Sequence, residues 1–153
     1  MTAASPPADL ANQALARVLT HAIAASGRPR HIIATECGMH RETLLRVARG
    51  DRAIGLDEAA RVLGACGAWP RASLILLLAG EEDLAREWMH SAMGEFLEEF
   101  LAGLPGQMQR VLGRRLEDIR PRWAGGTAQL VARLLAKHID DVANRDITMS
   151  LVR

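Results

Sequence analysis

The sequence predicts an all-α protein. In most segments apolar residues recur every three to four positions, as on one face of a helix, and no segment is rich in strand-forming residues. Glycine and proline separate these segments, and several glycines stand where a helix would end. Hydrophobic residues make up 49% of the 153 residues and charged residues 24%, so the chain can bury a core.

Five helices are predicted for the N-terminal part of the chain, after a flexible tail at residues 1–8. Their ranges are residues 9–25, 30–37, 40–49, 56–66 and 69–80. In the first helix Leu10, Ala14, Val18 and Ala22 form one apolar stripe. Gly38 stands at a turn that requires a positive φ angle, so the second and third helices are expected to form a tight pair.

Three further helices are predicted for the C-terminal part. Their ranges are residues 82–102, 107–119 and 127–143. Breaks are expected at residues 103–106 and 121–126, and the last seven residues form either a short strand or a frayed end. One row of apolar residues in the first of these helices consists of Leu84, Trp88, Ala92, Phe96 and Phe100. A second apolar row lies beside it, and a face of that width must be covered by another part of a protein.

This wide apolar face predicts a helical domain for dimerisation or partner binding at residues 69–153. The residues assigned to the interface are Trp88, Ala92, Phe96 and Phe100. Two alternatives stay open. The C-terminal helices could complete the core of a monomer, or they could enclose a small-molecule pocket among Trp88, Met89, Met93 and Trp123.

Charge is unevenly distributed along a chain whose formal net charge is only +1. Residues 28–52 contain six arginines against three acidic residues, a net charge of +3. Residues 81–105 contain seven acidic residues against Arg86, a net charge of −6. The sequence therefore has a basic N-terminal segment and an acidic central one. The acidic face is expected to be solvated, with a mimic of DNA or a site for a basic partner as the alternative.

The two short helices on either side of Gly38 predict a helix-turn-helix. Met39, Leu44 and Val47 fall on the side that faces the neighbouring helices. The residues left on the outer side of the third helix are His40, Arg41, Glu42, Leu45, Arg46 and Arg49. A helix that presents arginines outward can contact phosphates and the edges of bases in the major groove of DNA.

The stretch IATECGMHRETLLRVARGDRAIGLDEAARVLGACG at residues 33–67 resembles the lambda-repressor-like DNA-binding domains, also called the XRE family. The shared pattern is Ile33-Ala34, Gly38-Met39, Thr43-Leu44, Arg46-Val47 and Arg49-Gly50, followed by Leu56, Leu63 and Gly67. The resemblance covers residues 9–67. It implies a five-helix DNA-binding domain at residues 9–68, which in this family usually binds a palindromic operator as a dimer.

The resemblance also implies roles for single residues. Arg41, Glu42 and Arg46 match the positions that contact bases in the family, and Arg30 opens the second helix where the family contacts a phosphate or a base. His40 stands where a serine or threonine usually caps the third helix and touches a phosphate. Histidine is a weaker cap than serine, so this position departs from the pattern.

Leu45 is a second departure, because it places an apolar side chain on the outer side. It either meets a thymine methyl group or packs against the protein. Arg49 and Arg52 are expected to join Arg30 in binding phosphates. The complete set of residues predicted to contact DNA is Arg30, His40, Arg41, Glu42, Thr43, Leu45, Arg46, Arg49 and Arg52.

The sequence gives little support to other classes of protein. Cys37 and Cys66 lie in apolar helical segments, and neither they nor the five histidines have the spacing of a metal site. No catalytic pattern and no cofactor motif is present, and the first residues lack the pattern of a signal peptide. The longest apolar run, at residues 72–79, is too short to cross a membrane and is expected to be buried.

The sequence thus predicts a cytoplasmic, sequence-specific transcription regulator without enzymatic activity or a cofactor. A repressor is favoured over an activator, and double-stranded DNA and a second copy of the chain are the expected partners. Two alternatives share the same N-terminal pattern: an antitoxin that binds a toxin and regulates its own operator, and a protein-interaction module that does not bind DNA.

Overall fold

A computed structural model describes the backbone of residues 7–151 and the side chains of residues 9–146. Within residues 7–151 the chain forms helices and turns with no strand, so the all-α prediction is confirmed for that range. The predicted tail lies largely outside the described residues, and the first helix already begins at Pro7. The chain divides into two compact units, residues 1–105 and 106–153.

The first unit contains six complete helices and most of a seventh. They are α1 (Pro7–Ala25), α2 (Arg30–Glu36), α3 (Arg41–Arg49), α4 (Leu56–Ala65), α5 (Pro70–Leu78), α6 (Glu82–Trp88) and α7 (Ala92–Leu112). The second unit begins within α7. It continues with two 3₁₀ turns, Gly113–Asp118 and Pro121–Trp123, and with α8 (Ala124–Leu151).

The core of the first unit is shared by helices that the sequence assigned to different domains. Its largest buried side chains include Leu19 of α1, Ile33 of α2, Leu44 of α3 and Leu63 of α4. Met89, which directly follows α6, belongs to the same apolar cluster. The boundary predicted between residues 68 and 69 therefore falls inside one compact unit, because α5 packs against α4 and α6 packs against α1.

The helix predicted at residues 82–102 is interrupted, so that prediction is wrong. Helix α6 ends at Trp88, and the backbone carbonyl of Met89 accepts a hydrogen bond from the Trp69 amide at 2.9 Å. The Ser91 hydroxyl then caps α7, accepting from the Gly94 amide at 3.1 Å. The apolar row from Leu84 to Phe100 is consequently divided between two helices.

Helix α7 continues through the break that was predicted at residues 103–106. Leu97, Leu101, Leu104 and Met108 keep a helical spacing across Pro105, and the helix ends only at Leu112. The prediction of a separate helix at residues 107–119 is therefore wrong. The first half of that range belongs to α7, and most of the second half is a 3₁₀ turn. The loop predicted at residues 121–126 contains a 3₁₀ turn and the start of α8.

Helix α8 is longer than the helix predicted at residues 127–143. It extends from Ala124 to Leu151, so the described part of the tail is helical and does not form a strand. No side chain between residues 106 and 146 is buried, and Leu130, Leu134 and Ile139 are each about two-thirds exposed. Among the described residues, no helix is long and apolar enough to cross a membrane.

The apolar run at residues 72–79 is not fully buried, contrary to expectation. Ala72 and Ser73 are buried, but Ile75 is 43% and Leu78 is 79% exposed. The reason is that α5 packs through one side only. Ile75 and Leu78 lie three residues apart, which places them together on its other side.

Two glycines of α7 differ in the space around them and give a test of this packing. A β-carbon at Gly94 would lie 2.0 Å from the Trp88 carbonyl oxygen, whereas one at Gly103 would meet no atom within 4 Å. We expect Gly94→Ala to lower the free energy of unfolding by about 3 kcal/mol, as severe overpacking does. Gly103→Ala should raise that free energy by about 0.5–1 kcal/mol through helix propensity. Urea denaturation measures both, and equal effects would contradict the described packing.

Candidate nucleic-acid interface

The turn between α2 and α3 is held by two backbone hydrogen bonds around Gly38. The Gly38 amide donates to the Thr35 carbonyl at 3.1 Å, and the Met39 amide donates to the Ala34 carbonyl at 3.0 Å. This pair of hydrogen bonds is typical of a helix C-terminus that is followed by a residue with left-handed backbone angles. Gly38 is that residue, with a φ of 67°. Because glycine lacks a β-carbon, it adopts this conformation without strain, and α3 begins three residues later.

The inner side of α3 is fixed by burial. Leu44 and Val47 are buried against the core that Ala34 of α2 and Leu19 of α1 also enter. The Thr20 hydroxyl of α1 donates a hydrogen bond of 2.7 Å to a backbone carbonyl near the end of α3. These contacts fix the rotation of α3 about its own axis, so that its opposite side faces solvent.

Two arginines join the ends of α2 and α4. The Arg28 guanidinium makes a two-pronged ion pair with Glu36, and one of the contacts measures 2.8 Å. It also donates to the carbonyl of Ala65. The Arg61 guanidinium donates to the carbonyl of Cys37 at 3.3 Å. Hydrogen bonding to Arg28 holds the pKa of the Glu36 carboxyl below its ordinary value. Arg28 therefore belongs to the support of α2, although it lies within the basic segment of the sequence.

The residues predicted to contact DNA lie mostly on the solvent side of α2 and α3. Exposed members of the set are Arg30, His40, Arg41, Glu42, Arg46, Arg49 and Arg52. Thr43 and Leu45 are half-buried. None of the five guanidinium groups in the set makes a hydrogen bond or an ion pair with any residue whose side chain the structure describes.

The remaining arginines between residues 9 and 105 all have partners within the chain. The pairs are Arg17 with Glu82, Arg28 with Glu36, Arg61 with the Cys37 carbonyl, Arg71 with Glu98, and Arg86 with Asp83. The arginines of the first unit thus fall into two groups. One group stabilises the protein, and the other, which the sequence assigned to DNA, has no partner among the described residues.

An open groove lies beside α3, with Arg30 and Arg49 on its lining. Its volume is about 190 Å³, and Ile23, Leu44 and Leu45 also line it. Leu45 is half-buried on the lining of this groove. Both alternatives for it, a contact with a thymine methyl group and packing against the protein, stay open.

The start of α3 has no side-chain cap. His40 has extended backbone angles and its side chain makes no capping hydrogen bond, although its carbonyl accepts from the Leu44 amide at 3.1 Å. The first amides of α3 are consequently left to solvent or to a ligand. Backbone amides at a helix start, together with the helix dipole, favour an anion such as a phosphate.

The four residues assigned to a dimer interface do not form one row. Trp88 ends α6 and is half-buried, whereas Ala92, Phe96 and Phe100 lie on α7. The rings of Phe96 and Phe100 stack with their centres 5.7 Å apart, and Phe96 is 37% exposed. Of the four, only Ala92, Phe96 and Phe100 lie on a single helix.

Sequence reasoning missed the role of Glu98, which it placed on a solvated acidic face. Glu98 is buried, its carboxylate accepts from the Ala72 amide at 2.7 Å, and it lies 3.9 Å from the Arg71 guanidinium. It thereby caps α5 from a different helix. A signal was present, because α5 opens with Trp69, Pro70 and Arg71 and offers no acidic residue of its own.

The acidic segment also supplies Glu82, whose carboxylate binds the Arg17 guanidinium through two hydrogen bonds of 2.7 and 2.9 Å. This contact joins α6 to α1 and holds the pKa of Glu82 below its ordinary value. Among residues whose side chains are described, no cluster of three or more potential metal ligands occurs.

Comparison with protein-family models, with curated proteins and with solved structures yields no match to this chain. The account of function therefore rests on the chain itself.

The uncapped start of α3 gives a direct test of the local structure. Replacing His40 with serine should supply the missing acceptor and raise the free energy of unfolding by about 0.5–1 kcal/mol. His31→Ser is the matched control, because His31 is exposed within α2 and occupies no capping position. Urea denaturation compares the two variants. An equal change in the free energy of unfolding for both variants would contradict the described cap geometry.

Proposed function

We propose that this chain is a sequence-specific DNA-binding transcription regulator that inserts α3 into the major groove. The observation that carries the proposal is the division of the arginines in the first unit. Those on the outer side of α2, α3 and the following loop have no partner among the described residues, whereas the others are bonded within the chain. Exposed guanidinium groups on a helix with a fixed rotation suit phosphate and guanine recognition.

The arrangement supports the domain type that the sequence resembles. Helices α1 to α5 occur in the expected order, with a glycine turn between α2 and α3. We therefore propose that residues 9–68 form a lambda-repressor-like helix-turn-helix domain, which α6 extends by packing on the same core.

Each exposed residue of the interface has a proposed role. Arg41 and Arg46 donate paired hydrogen bonds to guanine, and Glu42 accepts from the amino group of cytosine. Arg49 and Arg52, together with Arg30, bind phosphates and make the affinity depend on salt. His40 and Thr43 lie near the open amides at the start of α3, where a phosphate would be held.

We further propose a symmetric dimer, since one helix pair contacts too few bases for tight specific binding. Two apolar surfaces suit contact with a second copy: Phe96 beside Phe100 on α7, and the exposed Leu130 and Leu134 on α8. A dimer would bind a palindromic operator with one α3 in each half-site. Repression is the proposed effect, because occupancy of an operator is sufficient for it.

An antitoxin is a second candidate, and the uncovered apolar side of α8 is the observation that favours it. In that case the DNA-binding role stays the same, and α8 holds a toxin. A small toxin gene beside this one, whose product co-purifies with the chain and is released by Leu134→Glu, would support the antitoxin. A dimer that persists without such a partner would support the plain repressor.

The base contacts are tested by selecting duplexes from a random pool with the full chain. We expect one preferred sequence, and Arg41→Ala and Arg46→Ala should each weaken binding to it by about 1–3 kcal/mol, or about 5- to 150-fold. Each variant should also relax the preference at its own base. Arg86→Ala is the control, because Arg86 is bonded to Asp83 and lies in the acidic segment. A pool without enrichment, or unchanged preference in both variants, would contradict the proposal.

The dimer is tested by size-exclusion chromatography with light scattering. At micromolar concentration the chain should have about twice its mass of 16.6 kDa. Phe96→Glu and Leu134→Glu determine which of the two apolar surfaces forms the contact, since a buried charge there would separate the copies. A monomeric wild-type chain would rule out the dimer.

A further inference from the structure

A second basic segment lies outside the predicted DNA interface. Residues 106–133 contain six arginines, and the only acidic residues there are Glu117 and Asp118, so the segment has a net charge of +4. This basic segment follows directly after the acidic residues 81–105. The two segments have opposite net charges, which nearly cancel in the net charge of the whole chain. The proposed function leaves this segment without a role.

Most of these arginines have no partner among the described residues. The exceptions are Arg110, which donates to the Gln107 side chain at 2.6 Å, and Arg115, which donates to the Val111 carbonyl at 2.9 Å. The arginines whose guanidinium group makes no hydrogen bond or ion pair with a described residue are Arg114, Arg120, Arg122 and Arg133. Glu117 and Asp118 do not neutralise them, because the ion pairs of the described residues all lie in the first unit.

The backbone that carries Arg120 and Arg122 is ordered by local hydrogen bonds. The Trp123 amide donates to the Arg120 carbonyl at 3.0 Å, and the Thr127 hydroxyl donates to the Trp123 carbonyl at 3.0 Å. The Trp123 side chain is 49% exposed, and its indole N–H has no acceptor among the described residues. Two guanidinium groups and one indole donor therefore project from one short turn.

We propose that the second unit binds phosphates of double-stranded DNA through Arg114, Arg120, Arg122 and Arg133, independently of sequence. The inference rests on the proposed function, in which the first unit selects the operator and the second adds phosphate contacts. The planar fork of arginine fits the two non-bridging oxygens of one phosphate, and an indole N–H can donate to an oxygen of a neighbouring phosphate. These contacts add affinity and salt dependence without adding specificity.

DNA is favoured over an anionic membrane as the polyanion. A membrane would have to accommodate α8 along its length, and between residues 134 and 146 α8 carries Asp140, Asp141 and Asp146 against only Lys137 and Arg145. These carboxylates repel an anionic lipid surface. A duplex presents its charge along a narrow backbone and can contact the basic turn alone.

The test compares two double variants of the full chain. Arg120→Gln with Arg122→Gln removes two charges from the basic turn. Lys137→Gln with Arg145→Gln removes two exposed charges from α8, away from that turn. Binding to a duplex of arbitrary sequence is measured by fluorescence anisotropy at several salt concentrations. The first pair should reduce the slope of log K against log salt by about 1.8, at roughly 0.9 per lost phosphate contact. The second pair should leave the slope unchanged.

The other outcomes overturn the inference. An unchanged slope in the first pair would exclude phosphate contacts, and an equal loss in both pairs would indicate only a general effect of net charge. Binding of the wild-type chain to phosphatidylglycerol vesicles but not to the duplex would assign the turn to lipid. Because the duplex has arbitrary sequence, this result is independent of operator selection, which tests the first unit alone.

Discussion

The left-handed backbone at Gly38 determines which side of α3 faces solvent. The turn returns the chain so that Leu44 and Val47 enter the core of the first unit. Burial of each such side chain contributes about 1.5–3 kcal/mol. Rotating α3 by half a turn would expose both and lose about 3–6 kcal/mol on the same basis. Arg41 and Arg46 face solvent because Leu44 and Val47 are buried on the opposite side of α3. The two arginines need no contact with the protein to hold this direction.

The arginines show how one residue type serves two purposes in this chain. Arg17 is bonded to Glu82, which joins α1 to α6, and Arg28 is bonded to Glu36 at the end of α2. A guanidinium group bonded in this way could bind DNA only if its ion pair within the protein were broken. Arg41 and Arg46 have no such commitment among the described residues, so binding to a phosphate or a base costs no internal hydrogen bond. The absence of an internal partner for an arginine side chain therefore separates the candidate interface from the rest of the first unit better than net charge does.

Local signals in the sequence were sufficient for α1 to α5, because periodic apolar residues and the glycines at helix ends fix those elements over short distances. The exposure of the predicted DNA-contacting arginines follows from the same periodicity. Contacts that depend on the tertiary fold were not predictable: the sequence does not show that Glu98 of α7 is the residue that caps α5, nor that the Trp88 carbonyl lies against Gly94. Pro105 indicated a helix end, but the apolar spacing on either side of it stays in register. Whether Arg28 is free or paired also depends on where Glu36 lies, which local patterns do not show.

Chemical footprinting on the selected duplex tests the central claim most directly. Dimethyl sulfate methylates N7 of guanine in the major groove, the same atom that Arg41 and Arg46 are proposed to contact. The account predicts that the chain protects guanine N7 in two half-sites separated by about 10 base pairs. Protection confined to adenine N3 in the minor groove, or no protection at all, would contradict it.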